Sequence, residues 1–187
     1  YSYSYGNEHV YGNHETHVHL TSEVRNGILP HELLTQSPNV VDRVGVDLHV
    51  SDLMNDEDYA WLKALIWPEH KERLANFENA ANQLRLNLPQ LIEGDGVALL
   101  PKLAANLATD STLCIFHTHV ANQIPETIKE KLIEEINEMS KQRVVYHIYN
   151  NMYDRQLHMD QVVNGVVQSI TIGDTDGHAR WFDWKIV

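Results

Sequence analysis

Short apolar runs alternate with longer amphipathic stretches along most of the chain. The runs at 44–48, 90–93, 112–117 and 144–149 predict buried strands, of which 112–117 is the clearest. Between these runs, apolar side chains recur at steps of three or four residues, which predicts helices. Because strands and helices alternate, the pattern favours a parallel sheet covered by helices.

Capping and proline signals predict where the helices begin and end. Asn55 is expected to cap a helix that stops at Trp67-Pro68, because the residue before a proline avoids helical dihedral angles. Pro101 and Pro125 are each expected to open a helix, since a proline at the first position lacks only an N–H that the helix does not use.

Both ends of the chain depart from this alternation. Residues 1–20 alternate in a way that predicts a β-hairpin or two short strands, and residues 21–42 resemble a loop, so 1–42 is predicted to be peripheral. Near the other end, Asn164-Gly165 lies between valine pairs and predicts a type I′ hairpin. We therefore predict one α/β domain over 1–187, Rossmann-like, with a mainly parallel sheet and a C-terminal antiparallel hairpin.

Composition narrows the class of partners. The 187 residues carry a net charge of −12 without a Lys/Arg cluster, so the surface repels phosphate backbones and nucleic acid is not an expected partner. No apolar run is long enough to cross a bilayer, and no signal peptide pattern is visible. The single cysteine, Cys114, lies in an apolar run and is predicted to be a buried, inert thiol, which favours a cytoplasmic location.

Polar side chains follow the predicted strands at their carboxyl ends, where ligands bind in open α/β sheets. Such side chains either converge on one cleft or simply mark where the chain returns to water. The residues in question are Asp47, His49, Asp95, His117, Thr118, His119, Asn150 and Asn151.

The twelve histidines raise the possibility of a metal site. His17 and His19, like His117 and His119, are spaced so that both imidazoles of a pair point to one side of a strand. A zinc or iron site needs three or four converging ligands, and no H-E-x-x-H or C-x-x-C spacing occurs. Solvated or hydrogen-bonded core histidines are the alternative interpretation. No G-x-S-x-G, P-loop or G-x-G-x-x-G motif is present either.

Several stretches resemble a bacterial family known as domain of unknown function 2332. The similarity covers nearly the whole chain and is most specific in the tryptophan-proline-glutamate and C-terminal motifs. The matching stretches are Tyr1-Ser2-Tyr3-Ser4-Tyr5-Gly6, Arg43-Val44-Gly45-Val46-Asp47-Leu48 with Asp52 and Asp56, Trp61 to His70, Gly94-Asp95, Cys114-Ile115-Phe116-His117-Thr118, and Asp176 to Trp184.

The family's overall pattern is similar to that of S-adenosylmethionine-dependent methyltransferases, which act on a small molecule or a protein. The resemblance implies that Asp95 accepts a hydrogen bond from the adenine amino group and that Asp47, at another strand tip, lies in the same cofactor site. It also implies that His117 and Thr118 lie near the reacting sulfonium or the substrate. His117 is then the expected general base.

One departure from the family pattern affects the expected activity. Nothing in the chain corresponds to the Glu-x-Gly-x-Ser-Ala-Gly-type turn that precedes the tyrosine-rich segment in such proteins. We therefore expect the chain to be a C-terminal part that lacks the first strand and its helix and is inactive alone. Three functions stay open: a methyltransferase-like enzyme, a metal-dependent hydrolase that uses the histidines, and a non-catalytic binding domain of the same fold.

Overall fold

A computed structural model describes residues 1–6, 9–35 and 38–186. The strands are β1 Ser2–Ser4, β2 Tyr11–Gly12, β3 His19–Thr21, β4 Glu23–Val24, β5 Val44–Asp47, β6 Gln90–Glu93, β7 Leu113–His117, β8 Val145–Tyr149, β9 Leu157–Val163, β10 Val166–Gly173 and β11 Trp181–Phe182. The α-helices are α1 His31–Thr35, α2 Asp56–Ala64, α3 Lys71–Leu86, α4 Gly96–Ala105 and α5 Glu126–Ser140.

The chain divides into two compact units. Unit 1 comprises Tyr1–Thr21 and His31–Asp95, and unit 2 comprises Ser22–Pro30 and Gly96–Val187. Unit 1 contains a three-stranded sheet in the order β2-β1-β3 and the parallel pair β5-β6. Unit 2 contains a four-stranded sheet in the order β10-β9-β8-β7 and the parallel pair β11-β4.

The prediction of a Rossmann-like, mainly parallel sheet of the methyltransferase type is wrong. Across the described residues the strands form small separate sheets rather than one continuous sheet. In the four-stranded sheet only β7 and β8 are parallel, whereas β9 is antiparallel to both β8 and β10. The protein is therefore a mixed α/β protein whose short sheets combine both strand directions.

The lengths of the connections explain these directions. Parallel neighbours need a long crossover, and α5 supplies one between β7 and β8 just as α2 and α3 do between β5 and β6. Residues 150–156, which join β8 to β9, are too few for a helical crossover. The chain therefore turns back, and β9 pairs antiparallel with β8.

The core of unit 2 lies between α4, α5 and the four-stranded sheet. Its buried members are Val97 of α4, Leu132 and Ile136 of α5, Val145 of β8 and Val162 of β9. The predicted helical spacing in α5 is confirmed, since Leu132 and Ile136 both face this core. Full burial of an aliphatic side chain of this size contributes about 1.5–3 kcal/mol.

Of the predicted helix boundaries, the starts at Asn55 and Pro125 are confirmed and the start at Pro101 is wrong, whereas α2 ends at Ala64, three residues before Trp67. The Asn55 side chain accepts hydrogen bonds from the N–H groups of Glu57 and Asp58 and so caps α2. Pro125 directly precedes α5. Pro101, by contrast, lies inside α4, which begins at Gly96. A proline in a helix interior loses a hydrogen bond, and burial of the α4 side chains against the core of unit 2 offsets that loss.

The hairpin predicted at Asn164-Gly165 is confirmed. Val163 and Val166 lie opposite each other, and both turn residues have positive φ, 50° for Asn164 and 75° for Gly165. Positive φ at both central positions is the requirement of a type I′ turn. Among the described residues, no helix combines the length and apolarity needed to cross a membrane.

Replacing Gly165 by alanine should destabilise the protein by about 1 kcal/mol, because a Cβ is strained in the left-handed region. The added methyl group has open space around it, so the effect isolates the backbone conformation. Gly177→Ala is the matched control, since Gly177 also has open space but not a positive φ. Urea denaturation followed by circular dichroism would measure both variants, and equal losses would contradict the expected turn type.

Candidate functional site

A pocket in unit 1 lies beside β5 and the loop that follows it. It has a volume of about 330 Å³ and is open to solvent; we call it the strand-tip pocket. Its lining consists of Gly45, Val46, Asp47, His49, Val50, Ser51 and Leu91. The carboxyl ends of parallel strands are where ligands bind in α/β sheets.

The parallel pairing of β5 with β6 places two carboxylates side by side at this pocket. Asp47 and Glu93 are directly opposite each other in the register, and the N–H of Gly94 donates to the carbonyl oxygen of Asp47 at 2.8 Å. Both carboxylates are exposed. The two strand tips therefore present neighbouring hydrogen-bond acceptors to solvent.

The same carboxylates hold the loop that follows β5. The backbone N–H of His49 donates to Oδ1 of Asp47 at 3.2 Å, and the N–H of Val50 donates to Oε2 of Glu93 at 3.1 Å. Nδ1 of His49 lies 3.3 Å from the same oxygen of Glu93. The loop residues of the pocket are thus fixed by the strand tips themselves.

The predicted site residues are distributed over both units. Asp47 lines the strand-tip pocket, and Asp95 is an exposed residue two positions beyond β6 in unit 1. His117 ends β7 in unit 2, and Thr118 follows it as an exposed residue. The prediction that these strand tips converge on one cleft stays a prediction.

His117 belongs to a cluster of polar side chains on one face of the four-stranded sheet. Its Nε2 lies 2.9 Å from Nε2 of His147 on β8, and the two ring centroids are 5.1 Å apart. The Tyr149 ring stacks on His147 at 4.5 Å, and its hydroxyl donates to Asp160 of β9. We call His117, His147, Tyr149 and Asp160 the imidazole cluster.

His147, Tyr149 and Asp160 are buried and His117 is half-buried, and this burial controls the protonation of the cluster. His147 is 0% exposed. Burial, and secondly the neighbouring His117, lowers the pKa of His147 from 6.5 to about 3. Burial also lowers the pKa of His117. The pKa of Tyr149 is raised, first by burial and then by the charge of Asp160. Both imidazoles are therefore neutral near pH 7.

A second group of polar residues lies in the loops that follow β7 and β8. The backbone N–H of His119 donates to Oδ1 of Asn150 at 2.7 Å, and the His119 ring lies 2.7 Å from the amide nitrogen of Asn151. His119 and Asn151 both have positive φ, 58° and 55°. The strand-tip residues predicted here are thus brought together, and they stabilise each other's strained backbone.

In the other pair, His17 and His19, the ring of His19 lies beside serine hydroxyls. In unit 1, the His19 ring lies 3.0 Å from the hydroxyl of Ser2 and 3.3 Å from that of Ser4. Within the described ranges, no three His, Cys, Asp or Glu side chains are grouped so that they could hold a metal ion. The hypothesis of a histidine-based metal site thus receives no support from the geometry.

Cys114 was predicted to be buried and is exposed. Strand β7 lies at the edge of its sheet, and Cys114 and Phe116 alternate with the half-buried Leu113, Ile115 and His117. The apolar run therefore does not have two covered faces. Partial burial of the sulfur nevertheless raises the pKa of the thiol, which disfavours the reactive thiolate.

Sequence reasoning missed His147, Tyr149 and Asp160. The sequence did contain a signal for two of them. His147 and Tyr149 follow Val145 at every second position of a strand, so both lie on the same face as this core valine. A histidine two residues from a buried valine on a strand is either a satisfied core residue or part of a site. Only the cross-strand neighbours distinguish these cases, and they are not visible in the local sequence.

The mixed sheets, the strand-tip pocket and the imidazole cluster define an α/β protein with two candidate polar sites. The chain belongs to a family of uncharacterised proteins conserved in bacteria (DUF2332), which it matches over residues 1–184. No curated protein and no solved structure matches it. The family resemblance expected from the sequence motifs is therefore confirmed.

Replacing His147 by glutamine should weaken the acid sensitivity of the protein. Between pH 6.5 and about 3 the unfolded chain binds a proton at this histidine and the folded chain does not. The unfolded state binds more protons in that window, so stability falls as the pH is lowered through it, by about 1.4 kcal/mol per pH unit at most. Below about pH 3 the contribution stays constant.

Urea denaturation between pH 7 and pH 4 would measure this slope in wild type and in His147→Gln. His178→Gln is the control, because His178 is exposed and its removal should leave the slope unchanged. An identical slope in wild type and His147→Gln would show that His147 is not held neutral by the fold.

Proposed function

We propose that this protein binds S-adenosylmethionine at the strand-tip pocket and takes part in methyl transfer to a small molecule or a protein. One observation carries the proposal: Asp47 lines a pocket of about 330 Å³ at the end of β5, and parallel pairing sets Glu93 beside it. Pockets for small ligands have volumes from about 300 Å³ upward. The choice of S-adenosylmethionine comes from the likeness of the sequence pattern to S-adenosylmethionine-dependent methyltransferases.

The chemistry of the pocket residues fits this cofactor. Carboxylates are pure acceptors, and they suit the ribose hydroxyls, the amino groups and the positive sulfonium of S-adenosylmethionine. The only residue of the lining that can carry a positive charge, His49, faces Glu93. Phosphate-bearing cofactors are disfavoured by these carboxylates and by the net charge of −12.

Each residue has a definite part in this proposal. Asp47 accepts hydrogen bonds from the ribose hydroxyls or the ammonium group, and Asp95 accepts one from the adenine amino group. The bound cofactor supplies an activated methyl group on its sulfonium. In unit 2, His117 is the proposed general base, with Thr118 as its neighbour in the chain, and its lowered pKa keeps it neutral for that task.

Of the two other functions considered, neither gains a specific observation. A metal-dependent hydrolase needs a cluster of ligands, and the described side chains do not form one. A non-catalytic binding domain would share the strand-tip pocket, and no feature of the described residues favours it over an enzyme. We also propose a cytoplasmic location and no nucleic-acid partner, on the basis of the single cysteine and the negative charge.

Isothermal titration calorimetry should detect binding of S-adenosylmethionine to the wild-type protein and weaker binding to Asp47→Asn. We expect a loss of about tenfold, because a hydrogen bond to a charged acceptor is worth about 1.5–3 kcal/mol and the asparagine retains one oxygen. Glu134→Gln on the exposed surface of α5 removes the same charge and should bind like wild type.

The absence of binding at millimolar ligand in wild-type protein would overturn the proposal. Equal weakening in Asp47→Asn and Glu134→Gln would mean that net charge, rather than the strand-tip pocket, governs the affinity. Binding of ATP as tight as that of S-adenosylmethionine would contradict the argument from the acidic lining.

A further inference from the structure

The sequence contains an asparagine followed by glycine at two places, Asn26-Gly27 and Asn164-Gly165. This dipeptide is chemically reactive, because glycine has no side chain to shield its backbone nitrogen. The nitrogen attacks the side-chain carbonyl carbon of the asparagine and forms a cyclic imide, a succinimide. The two dipeptides have different surroundings in the structure, and these surroundings determine how readily each one reacts.

The turn at Asn164-Gly165 is held by the end of α5. The N–H of Asn164 donates to the carbonyl oxygen of Ser140 at 2.9 Å, and the N–H of Gly165 donates to Oγ of Ser140 at 2.8 Å. Ser140 is 2% exposed, and its hydroxyl in turn donates to the carbonyl oxygen of Asn137 at 2.7 Å. One buried residue thus binds both N–H groups of the turn.

The hairpin itself does not require these two hydrogen bonds. In a two-residue hairpin, the strand pairing uses the backbone groups of the flanking residues, here Val163 and Val166. Asn164 and Gly165 are exposed, so water is available to their N–H groups. The contacts from Ser140 therefore add a restraint on the turn beyond what the hairpin needs.

We propose that Asn164 is a site of spontaneous deamidation and that Ser140 restrains the reaction. The Gly165 nitrogen must lose its proton and approach Cγ of Asn164. Ser140 opposes both steps, because its Oγ holds that proton in a hydrogen bond and its carbonyl oxygen fixes Asn164 at a φ of 50°. Ring closure requires the backbone of Asn164 to rotate out of this turn conformation.

The reaction is balanced with water as its only other reactant. The Gly165 nitrogen loses its proton to solvent and forms a bond to Cγ of Asn164. The bond from Cγ to the amide nitrogen breaks, and that nitrogen takes up a proton from solvent and leaves as ammonia. Water then opens the succinimide at one of its two carbonyl carbons. One opening gives aspartate at position 164, and the other gives isoaspartate, whose main chain runs through the side-chain carbon.

The isoaspartate product changes the hairpin. It adds an atom to the backbone between Val163 and Gly165, so the type I′ turn that sets Val163 opposite Val166 is lost. The turn fixes the register of β9 with β10. Strand β9 also supplies Asp160 to the imidazole cluster. The restraint from Ser140 therefore preserves the sheet that carries this cluster.

Asn26-Gly27 is held by other contacts and serves as an internal reference. Nδ2 of Asn26 donates to Oδ1 of Asp183 at 2.8 Å, and the Asn26 carbonyl oxygen accepts from the N–H of Trp184 at 2.7 Å. Gly27 is packed so closely that an added Cβ would lie 1.8 Å from the carbonyl oxygen of Trp184. None of these contacts involves Ser140, so a change there should not alter the reactivity of Asn26.

Peptide mapping by mass spectrometry, during incubation in mildly alkaline buffer, would measure deamidation at both asparagines. Ser140→Ala should react at Asn164 about fivefold faster than wild type, which corresponds to about 1 kcal/mol for one hydrogen bond, and should be unchanged at Asn26. Ser111→Ala is the matched control, because the Ser111 hydroxyl also donates to a carbonyl oxygen three residues earlier, that of Ala108. It should react like wild type.

Equal rates at Asn164 in wild type and in folded Ser140→Ala would overturn the proposal. Equal acceleration at Asn26 and Asn164 would also overturn it, since the variant would then act through global unfolding. Circular dichroism would establish that each variant is folded.

The wild-type protein provides a test that does not depend on any variant. Asn164 should react more slowly in the folded protein than in the same protein unfolded in urea, and equal rates would contradict the restraint. The measurement uses no S-adenosylmethionine, so its outcome is independent of the function proposed for the strand-tip pocket.

Discussion

Strand β8 turns Val145, His147 and Tyr149 toward the same side of its sheet, and α5 covers that side. At one end Val145 packs with Leu132 and Ile136 in the core of unit 2. At the other end the same face carries an imidazole and a phenol. Because a strand's side chains alternate, the register that buries the valine also buries the histidine. The apolar core therefore imposes burial on the imidazole cluster.

The antiparallel return of β9 is the second condition for this cluster. In a mainly parallel sheet, the neighbour of β8 would arrive from a crossover helix and present its residues in the opposite order. The short connection after β8 instead sets Asp160 opposite His147 and His158 opposite Tyr149. The Tyr149 and His158 rings stack at 5.3 Å, and His158 in turn lies 2.8 Å from Asp154. The departure from the expected fold and the composition of the cluster thus have one cause.

Local features of the sequence were sufficient for local structure. The helix cap at Asn55 and the turn at Asn164-Gly165 were predicted correctly, because each depends only on the residues at that place in the chain. The prediction that a helix begins at Pro101 was wrong. A proline is favourable at the first position of a helix, but burial of the α4 side chains determined where this helix begins. Asp47 was placed at a strand tip correctly, since the apolar run before it ends there.

Non-local features could not be predicted in this way. Which strand lies beside which depends on crossover lengths and on burial of whole faces, so the division of the strands into small separate sheets was not expected. For the same reason Cys114 was placed inside, since an apolar run looks the same in a central strand and in an edge strand. His147 escaped notice because its partners, His117 and Asp160, come from two other strands.

The position of β7 at the edge of its sheet has a consequence for the behaviour of the protein in solution. The strand carries neither a charged side chain nor a proline, and Phe116 is 75% exposed. Natural proteins usually protect such edges with lysine, proline or a bulge, because an unprotected edge is a template for pairing with another chain. Strand β7 is therefore an open edge at which this sheet can pair with another chain.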